Sequence, residues 1–204
     1  MSTTALIEWG VARGAIPGEP ESGDSHVVKA FPMGTLVAVV DGLGHGADAA
    51  AAARAATATL EHHAREPVVA LIERCHHALT QTRGAVMSLA SLNSRTGTMT
   101  WIGVGNVEGI LLYVDPAGRP ARTSLVTRGG IVGRELPPLR AVDVPVSAGN
   151  ILLFASDGIK AGFADRLPFD ASPQQLADQI FASHNKGTDD ALVLVARYLG
   201  GAGT

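Results

Sequence analysis

The sequence predicts an α+β layered sandwich, antiparallel sheet with helices on its faces. Three observations point there. Candidate strands come in hairpin-like series separated by turn chemistry, helical segments are grouped, and no regular strand–helix–strand alternation runs through the chain. Ala5–Gly14 and Ser25–Phe31 each hold a β-leaning run, joined by the Gly- and Pro-rich loop from Gly14 to Asp24. Thr35–Val40 is a continuous apolar run of strand length that stops at Asp41-Gly42. Gly42-Leu43-Gly44-His45-Gly46 then breaks the chain. Ala47–Arg65 follows as a helix whose many alanines imply close packing on a sheet. Pro67 suits the first turn of a second helix reaching about Thr82. Ala85–Leu92, Thr98–Gly103 and Gly109–Val114 read as strands divided by Asn-, Gly- and Pro-containing turns. Arg122–Thr127, Ala141–Val146 and Asn150–Ala155 continue the series, the last ending at Asp157-Gly158. Ser172-Pro173-Gln174-Gln175 carries a capping box for a helix to about His184, and Ala191–Tyr198 is a final strand.

The length of 204 residues suits one domain, expected over 1–199 with 200–204 as a flexible tail. A chain of this size buries roughly 70% of its unfolded surface and needs no disulfide or metal merely to fold. Sixteen basic against nineteen acidic residues give a net charge of −3, which argues against a nucleic-acid partner held by bulk positive charge. A single cysteine, Cys75, excludes an intramolecular disulfide framework and fits a reducing compartment. Met1–Ala5 opens no signal peptide, and no run of eighteen apolar residues exists to cross a membrane. The expectation is a cytoplasmic monomer with no membrane or nucleic-acid partner.

Candidate chemistry gathers where apolar strands meet aspartate. Asp41 follows Leu36–Val40, Asp157 follows Leu152–Ser156, Asp189-Asp190 precede Ala191–Val195, and Asp24 stands just before a β-run. Any one Asp-Gly pair is sufficiently explained as a turn. Several at strand ends of one sheet bring carboxylates together, and clustered carboxylates repel unless cations neutralise them. Oxygen ligands without His or Cys partners suit Mg²⁺ or Mn²⁺ rather than zinc. The glycine after each Asp lets backbone approach an ion and leaves a carbonyl free to bind it. Gly42-x-Gly44-x-x-Ala47 also fits a dinucleotide fingerprint, but Asp41 would place negative charge at the phosphate site. The acid expected about twenty residues on would be Glu61, inside a helix.

Val39–Gly46 with its Ala-rich helix, Phe154–Ile159 and Gly187–Arg197 together resemble the three metal-binding motifs of the type 2C metal-dependent protein phosphatases. The Asp-Gly-x-Gly-His-Gly form is that of the bacterial sporulation and stress-response branch. Ser22–Asp24, Gly103–Gly109 and Gly129–Gly133 resemble the members that reset the stressosome. The resemblance runs from about Ala5 to Arg197. It implies a sandwich of two antiparallel sheets flanked by helices and two divalent cations, Mn²⁺ or Mg²⁺. Asp41 would bridge the ions, Gly42 would offer its carbonyl, Asp157 and Asp189 would complete the inner sphere, and Asp24 would hold a metal-bound water. The implied activity is hydrolysis of phosphoserine or phosphothreonine on stressosome scaffold proteins by a metal-activated water, without a phosphoenzyme. The alternatives are a catalytically inactive docking module and a dinucleotide-binding enzyme.

Some positions depart from that family's pattern. Glu19 and Gly23 stand near where larger members carry a phosphate-binding Arg and its acidic partner. The general-acid His of eukaryotic members directly follows the Asp-Gly pair, where this chain has Leu43. His45, two residues later, is a candidate either to protonate the leaving oxygen or to cap the following helix. His62-His63 and His76-His77 read as surface or packing residues, Cys75 and Trp101 as core, and Arg128 and Arg134 as solvated or ion-paired.

Overall fold

The computed structural model describes residues 5–200. In chain order the elements are β1 (Ile7–Gly14), β2 (Asp24–Phe31), β3 (Gly34–Gly42), α1 (Ala47–His62), α2 (Val68–Ala78), β4 (Ala85–Asn93) and β5 (Thr98–Val104). There follow β6 (Glu108–Val114), β7 (Pro120–Ser124), β8 (Val142–Pro145), β9 (Ile151–Ala155), α3 (Pro173–His184) and β10 (Ala191–Tyr198). Two five-stranded sheets result, in the orders β1-β10-β9-β6-β7 and β2-β3-β4-β5-β8. Every strand pair within them is antiparallel. The predicted sandwich is therefore present, and among the described residues no parallel sheet of the kind a dinucleotide fold requires is formed.

Alternation along β3 explains why its sequence is apolar throughout. Leu36, Ala38 and Val40 face α1 and α2, whereas Val37 and Val39 face the opposite sheet. Strands buried on both faces lose the polar alternation of a half-exposed strand. β10 repeats the pattern, with Ala191, Val193 and Val195 toward α3 and Leu192, Leu194 and Ala196 toward the sheet interface. Alanines 49, 52, 53 and 56 are buried on α1, so the helix backbone lies close to the sheet. At the sheet interface Trp101 and Phe154 are fully buried, and truncating either to alanine would cost about 3–5 kcal/mol.

Several boundaries differ from expectation. α1 ends at His62 rather than Arg65, and α2 at Ala78 rather than Thr82. The strand expected at Arg122–Thr127 is Pro120–Ser124; Leu125 still donates in register to the Gly109 carbonyl at 2.8 Å, but by Arg128 the chain has crossed to β5, its amide donating to the Gly103 carbonyl at 3.2 Å. The α3 capping box is formed: Ser172 Oγ accepts from the Gln175 amide at 3.3 Å, and Gln175 Oε1 accepts from the Ser172 amide at 2.9 Å. Beyond Gly200, the expected C-terminal tail lies outside the described residues. Among the described residues no helix is long and apolar enough to cross a membrane.

Candidate metal centre

Both sheets end at one cleft of about 580 Å³. Asp24, at the start of β2, is the register partner of Asp41 near the end of β3. From the other sheet come Asp157, after β9, and Asp189 and Asp190, before β10. All five acids line this cleft with His45. The sequence-predicted residues Asp24, Asp41, His45, Asp157 and Asp189 are thus brought together, with Gly42 adjoining Asp41 in the chain.

The sheets are tied at this point by Ser156. Its hydroxyl donates to Asp24 Oδ2 at 2.6 Å and accepts from the Leu192 amide at 2.9 Å. Asp24 is 2% exposed. Burial, together with the charges of Asp190, Asp157 and Asp189, pushes its carboxyl up to about 7 against the opposing Ser156 hydrogen bond. Burial and then the charge of Asp24, reinforced by the three other acids, push Asp41 up to about 8. Two neighbouring carboxyls that resist ionisation are what a cation would relieve.

The donor set fits hard divalent cations. It is built of carboxylate oxygens with no cysteine; Cys75 is buried on α2. Among the described residues no three His, Cys, Asp or Glu side chains converge as a compact group able to hold an ion. Water would have to fill much of the coordination, as is usual for magnesium-sized ions.

The glycines serve packing more directly than the sequence suggests. A β-carbon at Gly42 would drive into the Ala49 carbonyl of α1, and one at Gly158 into the carbonyl of Asp190. Both Asp-Gly pairs therefore let a second backbone pass immediately beside the acid.

Sequence reading missed Asn106 and Lys186 as contributors, and it named Asp190 and Glu19 without foreseeing their contacts. Asn106 donates from Nδ2 to Asp157 Oδ2 at 2.8 Å, and the Lys186 ammonium donates to the Asp157 carbonyl. Asp190 clamps the loop after β1, accepting from the amides of Ile16 at 2.8 Å and Gly23 at 2.6 Å. Glu19, on that loop, has Oε1 2.8 Å from His45 Nδ1. Asn106 had a local signal in the Gly105-Asn106 turn and Asp190 in the Asp189-Asp190 pair, whereas Lys186 had none. The capping alternative for His45 is not realised, since Gly46 occupies the N-cap of α1 without a side-chain cap bond. The paired histidines are structural: His76 Nδ1 accepts from the Gly133 amide at 3.0 Å, and His63 Nδ1 lies 3.1 Å from Glu66.

Two stacked antiparallel sheets between helices, with acids at one end of the sheet pair, define a type 2C phosphatase domain. The profile of the Stage II sporulation protein E (SpoIIE) family matches residues 32–199, and the chain belongs to that family. Phosphoserine phosphatase RsbX of Bacillus subtilis (strain 168) is 38% identical over 94 residues, covering 46% of this chain and 47% of that protein. The chain thus matches about half the length of this curated relative. A chain from a structure of the bacterial stressosome, described as a modular system adapted to control secondary messenger signalling, is 31% identical with a TM-score of 0.84. That alignment covers 94% of this chain and 99% of the other. A crystal structure of RsbX in complex with magnesium shares the fold at a TM-score of 0.83, with 24% identity over 97% of this chain and 98% of that one.

Proposed function

We propose that the chain is a Mn²⁺- or Mg²⁺-dependent protein serine/threonine phosphatase acting on phosphorylated stressosome scaffold proteins. The observation that carries this reading is the meeting of acids from both sheets in one cleft, where burial and the neighbouring carboxylates hold back the ionisation of Asp24 and Asp41. A docking module would gain nothing from such a cluster, which opposes folding unless cations are held there. The similarity to RsbX and to a stressosome chain supports the substrate class.

Asp41, the Gly42 carbonyl, Asp157 and Asp189 would hold two cations, and Asp24 would orient water beside them. When bound, the cations supply positive charge against the phosphoryl oxygens and activate water at neutral pH. Ser156 keeps Asp24 in place, and Asn106 orients the Asp157 carboxylate. His45, on the cleft wall, protonates the departing seryl oxygen. We further take residues 1–199 as one domain acting as a cytoplasmic monomer.

Hydrolysis of p-nitrophenyl phosphate with and without Mn²⁺ tests the reading directly. Activity should require the metal, and Asp157→Asn should abolish turnover and weaken Mn²⁺ binding while leaving the circular dichroism spectrum unchanged. Full activity of Asp157→Asn at low micromolar Mn²⁺ would overturn the metal assignment.

A further inference from the structure

We infer that Glu19 is a positioning residue for His45: it holds Nδ1 so that Nε2 is presented to the cleft as the proton donor. The inference rests on the phosphatase reading above.

The geometry begins with the loop between β1 and β2. Asp190 pins it at both ends through the amides of Ile16 and Gly23, and within it the Glu19 amide donates to the Ile16 carbonyl at 3.1 Å. Glu19 therefore sits on a segment anchored by an acid of the centre itself. Its Oε1 lies 2.8 Å from His45 Nδ1. Its second oxygen lies against Gly46, where a β-carbon would come within 2.9 Å of Oε2. Gly46 has φ 74°, a left-handed conformation that glycine adopts without strain. A carboxylate at that spot also faces the N-terminus of α1, whose exposed amides favour negative charge.

The pairing determines what His45 can do. A carboxylate only accepts, so the nitrogen facing it must carry hydrogen, and Nε2 becomes the nitrogen free to exchange a proton. The His45 side chain is 58% exposed while Glu19 is 30% exposed. An exposed imidazole on a glycine-flanked turn would otherwise rotate freely, and the contact removes that freedom. An acid orienting a histidine through its far nitrogen is the arrangement of the hydrolase triads, with the roles reassigned.

In the step served, Nε2–H transfers its proton to the seryl oxygen as the P–O bond breaks, and the serine leaves as an alcohol. The attacking water delivers oxygen to phosphorus, the proton it sheds passes to solvent, and Nε2 regains a proton from solvent. The sum is phosphate monoester plus water giving alcohol plus inorganic phosphate. Between the transfer to the seryl oxygen and reprotonation of Nε2, the Nδ1–H bond to Glu19 persists and the Nε2 lone pair faces the cleft.

The test uses the full chain with Mn²⁺ and the variants Glu19→Ala, Glu19→Gln, His45→Ala and the Glu19→Ala/His45→Ala pair. Each is assayed on a phosphoserine protein and on p-nitrophenyl phosphate, whose leaving group hardly needs a proton. Glu19→Ala should lower kcat on the phosphoserine protein about 10–100-fold with little change in KM, the range for an orienting partner. The loss on p-nitrophenyl phosphate should be under about threefold by the same leaving-group argument. Glu19→Gln, which keeps an accepting oxygen, should recover most of the activity, and the double variant should be no slower than His45→Ala. Independently, nitrogen NMR of the neutral His45 ring should show the Nδ1–H tautomer in the parent and lose it in Glu19→Ala. Equal losses on both substrates, multiplicative losses in the double variant or an unchanged tautomer would each overturn the inference. A parent inactive on both substrates would instead remove the phosphatase reading, and the inference with it, while the tautomer still reports whether the contact forms.

Discussion

Asp41→Asn should stabilise the metal-free protein at alkaline pH and destabilise the metal-loaded one. Asp41 is mostly buried, and its carboxyl is pushed from 3.8 up to about 8 by burial and by Asp24, Asp157, Asp189 and Asp190. Below about pH 4 the group is protonated both folded and unfolded, so it contributes no pH dependence there. Between about pH 4 and 8 the folded chain keeps a proton that the unfolded chain has lost, so stability falls as pH rises. At about 1.4 kcal/mol per unit, the whole displacement corresponds to a ceiling of ~6 kcal/mol. Water in the open cleft raises the effective dielectric, so about 2–4 kcal/mol is the expected gain for Asp41→Asn at pH 9. At pH 4 the two proteins should be equal within ~1 kcal/mol, because both then carry a neutral side chain. Saturating Mn²⁺ should reverse the order, since occupancy at 1,000 times Kd stabilises the parent by about 4 kcal/mol. Urea unfolding in chelator and in Mn²⁺, at pH 4, 7 and 9, measures all of this. A parent protein as stable as Asp41→Asn in chelator at pH 9 would refute the repulsion argument.

Three further outcomes follow from the same geometry. Ser156→Ala should destabilise by about 1–3 kcal/mol in urea unfolding, because Asp24 Oδ2 and the Leu192 amide both lose a buried partner. Gly42→Ala should destabilise by several kcal/mol, on the order of 3, since a β-carbon must displace the Ala49 backbone and with it the start of α1; an unchanged urea midpoint would contradict the close packing. The catalytic efficiency on a folded phosphorylated scaffold should far exceed that on a phosphopeptide spanning the same site, because Glu19 stands near where larger members carry an anchoring arginine, so remote contacts must orient the phosphoserine. Equal kcat/KM on the two substrates would place recognition at the phosphosite alone.

Much of this molecule is legible along the chain. The strand series, the capping box at Ser172 and the apolar runs of β3 and β10 follow from local chemistry, because side-chain periodicity and turn residues act over a few positions. Asp41 and Asp157 announce themselves by interrupting apolar strands, and sequence alone places each at a strand end. The strand limits around β7 were not legible, because they depend on where the chain crosses from β6 to β5, which the Arg128 amide marks by donating to Gly103. Nor were Ser156 bonding Asp24, Asp190 holding the loop at Ile16 and Gly23, or Glu19 meeting His45. These pairs lie 132, 174, 167 and 26 positions apart, and no local propensity encodes them. Sequence determined which residues are acidic and that they end strands. Only the stacking of the two sheets decided that those ends face one another, because the buried apolar faces leave the sheets one close-packed register and the polar groups follow it.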